Sequence, residues 1–391
     1  MTSVCRLGGL VSFRTGKLNS NAAKAGGAYP FFTCSQETYR TDTYSFDTEC
    51  VLLAGNNANG IYPIKYFVGR FDAYQRTYVI ESLDQKRLLT RYLYYALQLQ
   101  LEHLRSISTG AATKFLTLTL LNSIEIRLPP LPYQERIANI LSAYDHLIEN
   151  NTRRIAILEG MAKRIYEEWF VQFRFPGHEN FQMVESEFGP IPETWEVRRA
   201  TDVCCFVKGV EPGRKQYVTV PTKSTVPFLR VGDLSKRSSG LFIDRSLAKG
   251  NLLSQGDIAI SLDGTIGIVR YGLCGAFSGG VRKVIPTDPS VGRAFVYQFL
   301  CSEYAQGHIS AHANGATILH AGSSIRNLAL VLPSPQLLKR FEELTGSMMD
   351  LVISLEQKNA SLRSTRDLLL PKLISGELDV SKVPEPQPEA A

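Results

Sequence analysis

The chain of 391 residues lacks the features that mark several classes of protein. It has no apolar run near 18 residues, and Arg6 and Arg14 interrupt its N-terminus, so we expect neither a membrane span nor a secretory leader. Its seven cysteines are odd in number and include no Cys-x-x-Cys. This argues against a disulfide framework or a zinc site and favours a reducing cytoplasm.

Motifs of the common catalytic classes are also missing. There is no Gly-x-x-x-x-Gly-Lys-Ser/Thr loop, no Gly-x-Gly-x-x-Gly after a strand, and no Asn/Asp-Pro-Pro-Tyr/Phe of amino-methyltransferases. Residues 84–86 and 356–358 match only the tail of a nuclease motif, and His308 and His312 lack the partners of a metal site. Residues 263–267 resemble a phosphate loop loosely and are better interpreted as a turn with glycines at positive φ. We therefore expect no catalytic site, cofactor or metal.

The composition is that of an ordinary globular protein, with 44% hydrophobic and 20% charged residues. The net charge of +6 is mild. It permits a polyanionic partner without requiring one.

The second half of the chain repeats the first at an offset of 204 residues. Leu128-Pro129 corresponds to Leu332-Pro333, and Thr113 corresponds to Thr317. Upstream the match is looser: residues 59–61 resemble 266–268 at an offset of 207, and Gln75-Arg76 resembles Val281-Arg282 at 206. So long a period indicates a duplicated domain and not a solenoid, whose repeats span roughly 20–50 residues.

Each repeat contains short strands separated by turns, then a long helix, which predicts an α+β fold with two similar modules. Helices are expected near 87–104 and 294–304. The predicted segments are a first module, a central helix, a second module, a C-terminal helix and a disordered tail: 1–131, 132–175, 180–335, 336–376 and 377–391.

Both long helices carry apolar residues at heptad spacing, which favours an antiparallel pair that forms a rod. The second seam is weaker, and Pro371 is expected to kink or end its helix. Setting Ile137 beside Leu373 brings Asn151 beside Asn359. We expect these two amides to pair and to fix the helix register.

Polar and basic residues cluster in or beside the turns of both modules and form plausible DNA surfaces, because amides suit adenine edges and Arg suits guanine. In the first module they are Asn56, Asn57, Asn59, Arg70, Tyr74, Gln75, Arg76 and Lys114. In the second they are Lys208, Arg230, Lys236, Arg237, Arg282, Lys283, Asn314 and Thr317.

Three segments carry a family resemblance. Residues 128–141 and 155–171 resemble the central conserved region of the specificity subunits of Type I restriction–modification systems, and residues 362–378 resemble their C-terminal conserved region. Trp195 resembles the Trp that often opens a module of this family, and the first module lacks it.

The resemblance implies a non-catalytic reader in which each module recognises one half of a bipartite double-stranded DNA site. The helices would set the spacer and dock two modification subunits, which would supply S-adenosylmethionine and the catalytic motif; restriction subunits would join them. Two alternatives remain open from the residues: a divergent methyltransferase or nuclease, and a stand-alone DNA-binding regulator.

Overall fold

A computed structural model describes residues 3–57, 60–108, 114–237, 239–315 and 319–382. The chain forms two compact units. Unit 1 contains residues 1–150 and 359–391, and unit 2 contains residues 151–358. Each of the two long helices therefore contributes one part to each unit. Asn59, Thr113, Thr317 and the tail from residue 383 lie outside the described residues.

Unit 1 is built on a six-stranded sheet. The strands of unit 1, inside and outside this sheet, are β1 (Ser3–Arg6), β2 (Val11–Thr15), β3 (Tyr29–Phe32), β4 (Thr38–Thr41), β5 (Phe46–Ala54), β6 (Asn56–Asn57), β7 (Ile64–Ala73), β8 (Thr77–Ser82), β9 (Lys114–Phe115) and β10 (Glu125–Leu128). Its shorter helices are α1 (Thr90–Leu99), α2 (Leu101–Ile107) and α3 (Leu118–Ser123). The sheet order is β2-β8-β5-β7-β3-β4, while β1 pairs with β10 and β6 with β9.

The sheet of unit 1 is covered on both faces. Side chains alternate along β5, so Val51 and Leu53 join the core that includes α1, whereas Cys50 and Leu52 join a second core on the other face. The second core contains three buried phenylalanines, Phe32, Phe46 and Phe71.

Unit 2 contains two four-stranded sheets. Its strands are β11 (Met183–Ser186), β12 (Gly189–Pro192), β13 (Glu196–Arg199), β14 (Cys204–Lys208), β15 (Thr225–Leu229), β16 (Phe242–Asp244), β17 (Leu252–Leu253), β18 (Ile258–Ser261), β19 (Val269–Arg270), β20 (Gly275–Phe277), β21 (Val281–Pro286) and β22 (Ala329–Leu332). Its shorter helices are α5 (Ala200–Val203), α6 (Val231–Lys236), α7 (Arg293–Cys301) and α8 (Glu303–Ala311). The sheet orders are β14-β21-β18-β19 and β16-β15-β20-β17.

The two units repeat one strand order. Unit 1 has the order β2-β8-β5-β7-β3-β4. Unit 2 has the orders β14-β21-β18-β19 and β20-β15-β16, and β19 and β20 together correspond to β7. Each unit contains a parallel strand pair at the corresponding place. In unit 1, Phe31 and Phe32 pair with residues 72 and 73. In unit 2, Phe228 and Leu229 pair with residues 276 and 277, which confirms the match. The predicted α+β duplication is thus present in the fold.

Strand register corrects one part of the sequence alignment. Each of the equivalent strands β2 and β14 is followed by a glycine whose N–H donates to the neighbouring strand, from Gly16 to the Thr77 carbonyl oxygen and from Gly209 to the Val281 carbonyl oxygen, so Thr77 and Val281 are equivalent. The offset there is 204, and matching Gln75-Arg76 to Val281-Arg282 was wrong by two residues. The cause is physical: residues of a turn vary freely, whereas strand pairing holds the register.

Two long helices follow the modules. The first, α4 (Leu131–Tyr166), runs into a π-helical turn at Glu167–Val171, and the second is α9 (Pro335–Ser375). They begin 204 residues apart, each shortly after the Leu-Pro that ends the last strand of its module.

The parts of the two helices that share a unit run antiparallel. In unit 1, Arg366 forms an ion pair with Asp145 at 2.5 Å, and Asn359 Nδ2 lies 3.4 Å from the carbonyl oxygen of Ile148. In unit 2, the rings of Trp169 and Phe341 have centroids 5.9 Å apart, as the proposed register requires.

The last helix continues past Pro371 and ends at Ser375, close to the predicted end at residue 376; a kink at Pro371 stays a prediction. One expectation about the end of the chain was wrong. Residues 380–382 form a 3-10 turn and do not begin a disordered tail. Val380 is buried, and its carbonyl oxygen accepts a hydrogen bond from Arg136 Nε at 2.6 Å.

Candidate DNA-binding surfaces

A polar patch in unit 1 lies where β5 ends and β8 begins. Asn56 and Asn57 form β6, which pairs with Phe115 and Lys114 of β9. The Arg76 guanidinium lies 5.7 Å from the centre of the Phe115 ring. The first patch is defined by these residues and the turn at 74–76.

Cys34 connects the parts of the first patch. Its Sγ lies 3.1 Å from Asn56 Oδ1 and 3.4 Å from the Arg76 carbonyl oxygen. A shallow depression of about 380 Å³ opens beside it. The depression is lined by hydroxyl, thiol, amide and phenol groups: Ser20, Thr33, Cys34, Ser35, Asn56, Asn57 and Tyr74. Sequence reasoning found the asparagines and Tyr74 and missed the 33–35 turn, because β3 and β4 bring it there from a distance in sequence.

The remaining predicted residues of unit 1 fall in different places. Gln75 is exposed in the same turn, and Lys114 Nζ donates to the Arg105 carbonyl oxygen at 3.2 Å. Arg70 lies on β7, where it forms an ion pair with Asp47 at 3.0 Å and sits over the Tyr44 ring at 5.0 Å. Arg70 is exposed, and its contacts are with Asp47 and Tyr44, so we do not include it in the first patch; its contact with DNA stays a prediction.

A second patch occupies the equivalent place in unit 2. Lys208 pairs with Arg282 across β14 and β21. Asp263 lies 3.7 Å from the Arg282 guanidinium and 2.7 Å from His320 Nδ1. Asn314 forms an isolated bridge with His320. We define these five residues as the second patch; sequence reasoning found three of them and missed Asp263 and His320.

The helix α6 begins beside the second patch. A Cβ atom at Gly280 would lie 2.9 Å from Val231 Cγ2 and 3.4 Å from Asp263 Cβ, so this glycine separates the two. Arg230 caps α6 and is exposed, and Lys236 is exposed in its last turn. Contact of these two side chains with DNA stays a prediction.

Lys283, a predicted DNA contact of unit 2, forms an ion pair within the fold. Lys283 Nζ lies 2.7 Å from Asp257 and 3.1 Å from the Leu252 carbonyl oxygen. Burial alone would raise the pKa of Asp257, but hydrogen bonds from Lys283 and Ser254 lower it. Lys283 alternates with Arg282 along β21, so it points to the opposite face.

Arg237 faces the long helices. Its guanidinium forms ion pairs with Glu159 at 3.1 Å and with Glu356. Two carboxylates already neutralise this side chain. Its charge is therefore committed to attaching the module to the helices, and we do not include it in the second patch.

Neither a metal cluster nor a membrane-spanning helix is found in the described part of the chain. No group of three or more His, Cys, Asp or Glu side chains there is placed to hold a metal ion. Among the same residues, no helix is both long enough and apolar enough to cross a membrane. Gly264 and Gly267 have φ values of 76° and 81°, so residues 263–267 form the expected turn with left-handed glycines.

Comparison with known proteins agrees with this organisation. A family model described as the Type I restriction modification DNA specificity domain matches residues 2–159. The Type I restriction enzyme MjaIX specificity subunit of Methanocaldococcus jannaschii is 28% identical over 308 residues, which cover 76% of this chain and 71% of that one. The chain is therefore similar to Type I restriction–modification specificity subunits over most of its length, and residues 2–159 match the DNA specificity domain of that family.

Two further relatives of this family show how far the likeness extends. The EcoDI specificity subunit of Escherichia coli is 32% identical over 216 residues, which cover 50% of this chain and 47% of that protein. The crystal structure of a Type I S subunit from M. genitalium has a TM-score of 0.66 to this chain and covers 96% of both, at 18% identity. At that identity the likeness is one of fold. The family model ends at residue 159, and the structural repeat extends the same organisation to the second module.

Proposed function

We propose that this chain is the non-catalytic DNA-recognition subunit of a Type I restriction–modification enzyme, with each module reading one half of a bipartite DNA site. The observation that carries the proposal is the presence of equivalent polar patches on two copies of one fold. Phosphate contacts from the basic residues would give affinity, and a few base contacts would give specificity.

The long helices would set the spacer between half-sites and dock the modification subunits. Each unit has a cavity at the end of one long helix, of about 510 Å³ in unit 2 and about 260 Å³ in unit 1. Residues related by the 204-residue offset line both cavities: Tyr304 and Gln100, Leu330 and Ile126, Val331 and Arg127, Phe170 and Ile374, and Val171 and Ser375. Two equivalent surfaces support two copies of one partner.

An exchange of modules tests the division of labour. Residues 180–335 are replaced by the corresponding module of another specificity subunit, and methylated bases are mapped in cells that carry the intact system. One half of the target is expected to change while the other half stays the same. A change in both halves, or in the spacer alone, contradicts independent reading.

The absence of catalysis is tested with the purified chain alone. We expect no transfer of a radiolabelled methyl group to DNA and no cleavage, because the chain contains none of the corresponding motifs. Turnover by the isolated chain would overturn the proposal. Restriction subunits are expected as further partners of the assembled enzyme.

A further inference from the structure

One position is equivalent in the two patches and carries different chemistry in each. Asn56 lies two residues after Ala54, which pairs with Thr77, and Asp263 lies two residues after Ser261, which pairs with Val281. Since Thr77 and Val281 are equivalent by register, Asn56 and Asp263 occupy the same place in their modules.

The neighbour across from this position is also equivalent. Asn56 pairs with Phe115 in unit 1, and Asp263 forms an isolated bridge with His320 in unit 2. The next residue along each segment, Leu116 or Ala321, donates its backbone N–H to residue 55 or 262. The first module thus presents an amide beside an aromatic ring, and the second presents a carboxylate beside an imidazole.

Both side chains are held in place and keep hydrogen-bonding capacity. Asn56 is half-buried and accepts from Cys34 through Oδ1, which leaves its amide nitrogen to donate elsewhere. Asp263 is 23% exposed and is oriented by His320 and Arg282. A carboxylate has about four lone-pair sites, so these two contacts do not exhaust it. Held side chains lose little entropy on binding, as sequence readout requires.

We propose that positions 56 and 263 determine specificity, with Asn56 reading an adenine in one half-site and Asp263 reading a cytosine in the other. Asn donates to and accepts from the major-groove edge of adenine, and Asp accepts from the N4 amino group of cytosine. The Arg282 guanidinium offsets the repulsion between the Asp263 carboxylate and phosphate. This proposal rests on the proposed function, because it names the residues that carry out the reading.

The test is selection of bound DNA from a random library by the chain assembled with its modification subunits. Asn56→Asp is expected to lower the preference for one adenine in one half-site by about 5- to 150-fold and to leave the other half-site unchanged. Asp263→Asn is expected to do the same at one cytosine of the other half-site. Asn56→Ala should flatten the preference at the same position as Asn56→Asp.

The control is Gln182→Glu, the same amide-to-acid change at an exposed residue outside both patches, which should leave the target unchanged. In each variant the unaffected half-site reports that the protein is folded. The proposal is overturned if the Asn56 and Asp263 variants keep the original target, or if either alters the half-site of the other module. A wild-type complex that selects no bipartite sequence would instead overturn the proposed function.

Discussion

The polar contacts that attach each module to the long helices differ between the units. In unit 1, the Tyr95 hydroxyl donates to Asp145 at 2.6 Å, and Asp145 pairs with Arg366. In unit 2, Arg237 from the end of α6 pairs with Glu159 and Glu356. Arg237 also has a φ of 54°, a left-handed value that is uncommon outside glycine. The duplicated fold therefore uses unrelated residues for one structural task.

Loss of the Arg237 guanidinium is expected to destabilise unit 2. Arg237→Met leaves Glu159 and Glu356 without their shared cation, and we expect a loss of about 1–3 kcal/mol in the free energy of unfolding. Urea unfolding measures the loss. Lys236→Met is the matched control, because Lys236 is exposed and the same charge is removed one residue away. Equal stability of the two variants would contradict this assignment.

A group of buried and partly buried tyrosines predicts alkaline sensitivity of unit 1. Burial raises the pKa of Tyr94 to about 12, with a smaller effect in the same direction from Asp145 and an opposing one from Arg366. Burial also raises the pKa values of Tyr92 and Tyr95. Because the pKa is higher in the folded state, these tyrosines contribute their full stabilisation to the free energy of unfolding below the unfolded pKa near 10. That contribution is lost as the pH rises from 10 towards the folded pKa.

Tyr94→Phe tests this dependence because it keeps the ring and removes the ionisable hydroxyl. Between pH 8 and pH 11, the urea midpoint of the wild type is expected to fall with rising pH, and that of the variant is expected to fall less steeply. Tyr39→Phe, at an exposed tyrosine of the same unit, should match the wild type. Parallel curves for Tyr94→Phe and the wild type would rule Tyr94 out as the cause.

Residue type alone could predict part of each patch. Asn56 and Arg76 were found because polar residues in turns are conspicuous in a sequence. Lys283 and Arg237 were predicted on the same basis, but they form ion pairs within the fold. Their partners are Asp257 for Lys283 and two helix glutamates for Arg237, which lie far away in the sequence and could not be predicted from residue spacing. One signal for Asp263 was present, since the offset of 207 that relates 60 to 267 also relates Asn56 to Asp263.

At the scale of elements, periodicity predicted the long helices well. Their starts at Leu131 and Pro335 agree with the Leu-Pro signals and the heptads that follow. The shorter helices were predicted as single stretches, but each is divided in two, near Gln100 and Ser302. A break of one residue leaves the apolar spacing almost unchanged, so it is not visible in the pattern.

Insertion of one heptad into each long helix is expected to lengthen the DNA spacer. Seven residues add about 10 Å of helix, which corresponds to about three base pairs at ~3.4 Å each. The insertions belong beside Asn151 and Asn359, which are both buried, with 8% and 3% exposure. Methylation mapping reads the spacer, and both half-sites should be retained. An unchanged spacer with full methylation would contradict a role of the helices in spacing.

The matched control is a heptad inserted into one helix only, which should abolish specific methylation because the two seams no longer match in length.

The pairing of the Asn151 and Asn359 side chains stays a prediction. A double-mutant cycle with Asn→Leu at each position measures it, and additive losses of stability would remove it.

At the scale of the whole molecule, the duplication is more regular in structure than in sequence. The last strands and long helices of the modules keep the offset of 204. In the N-terminal part of each module the offset is 193, as Gly16 and Gly209 show. A Cβ atom at Gly16 would lie 1.8 Å from the carbonyl oxygen of Ala73, and one at Gly209 would lie 2.2 Å from that of Phe277. Insertions between strands hide such a match from direct alignment.

The duplication also predicts how many partners bind. If the two equivalent cavities each dock one modification subunit, an acidic residue at the rim of either cavity should remove one copy, because an unpaired carboxylate buried in an interface costs several kcal/mol. Leu99→Asp alters the cavity of unit 1, and Tyr304→Asp alters that of unit 2; both side chains line a cavity and are partly exposed.

Native mass spectrometry of the chain mixed with its modification subunits counts the copies. We expect two copies on the wild type, one on each single variant and none on the double variant, with binding at the altered site weakened by about 100-fold or more. Leu83→Asp, at a leucine that is 63% exposed and lines neither cavity, should keep two copies. If both single variants keep two copies, the docking surfaces lie elsewhere; if one variant loses both, the two sites are not independent.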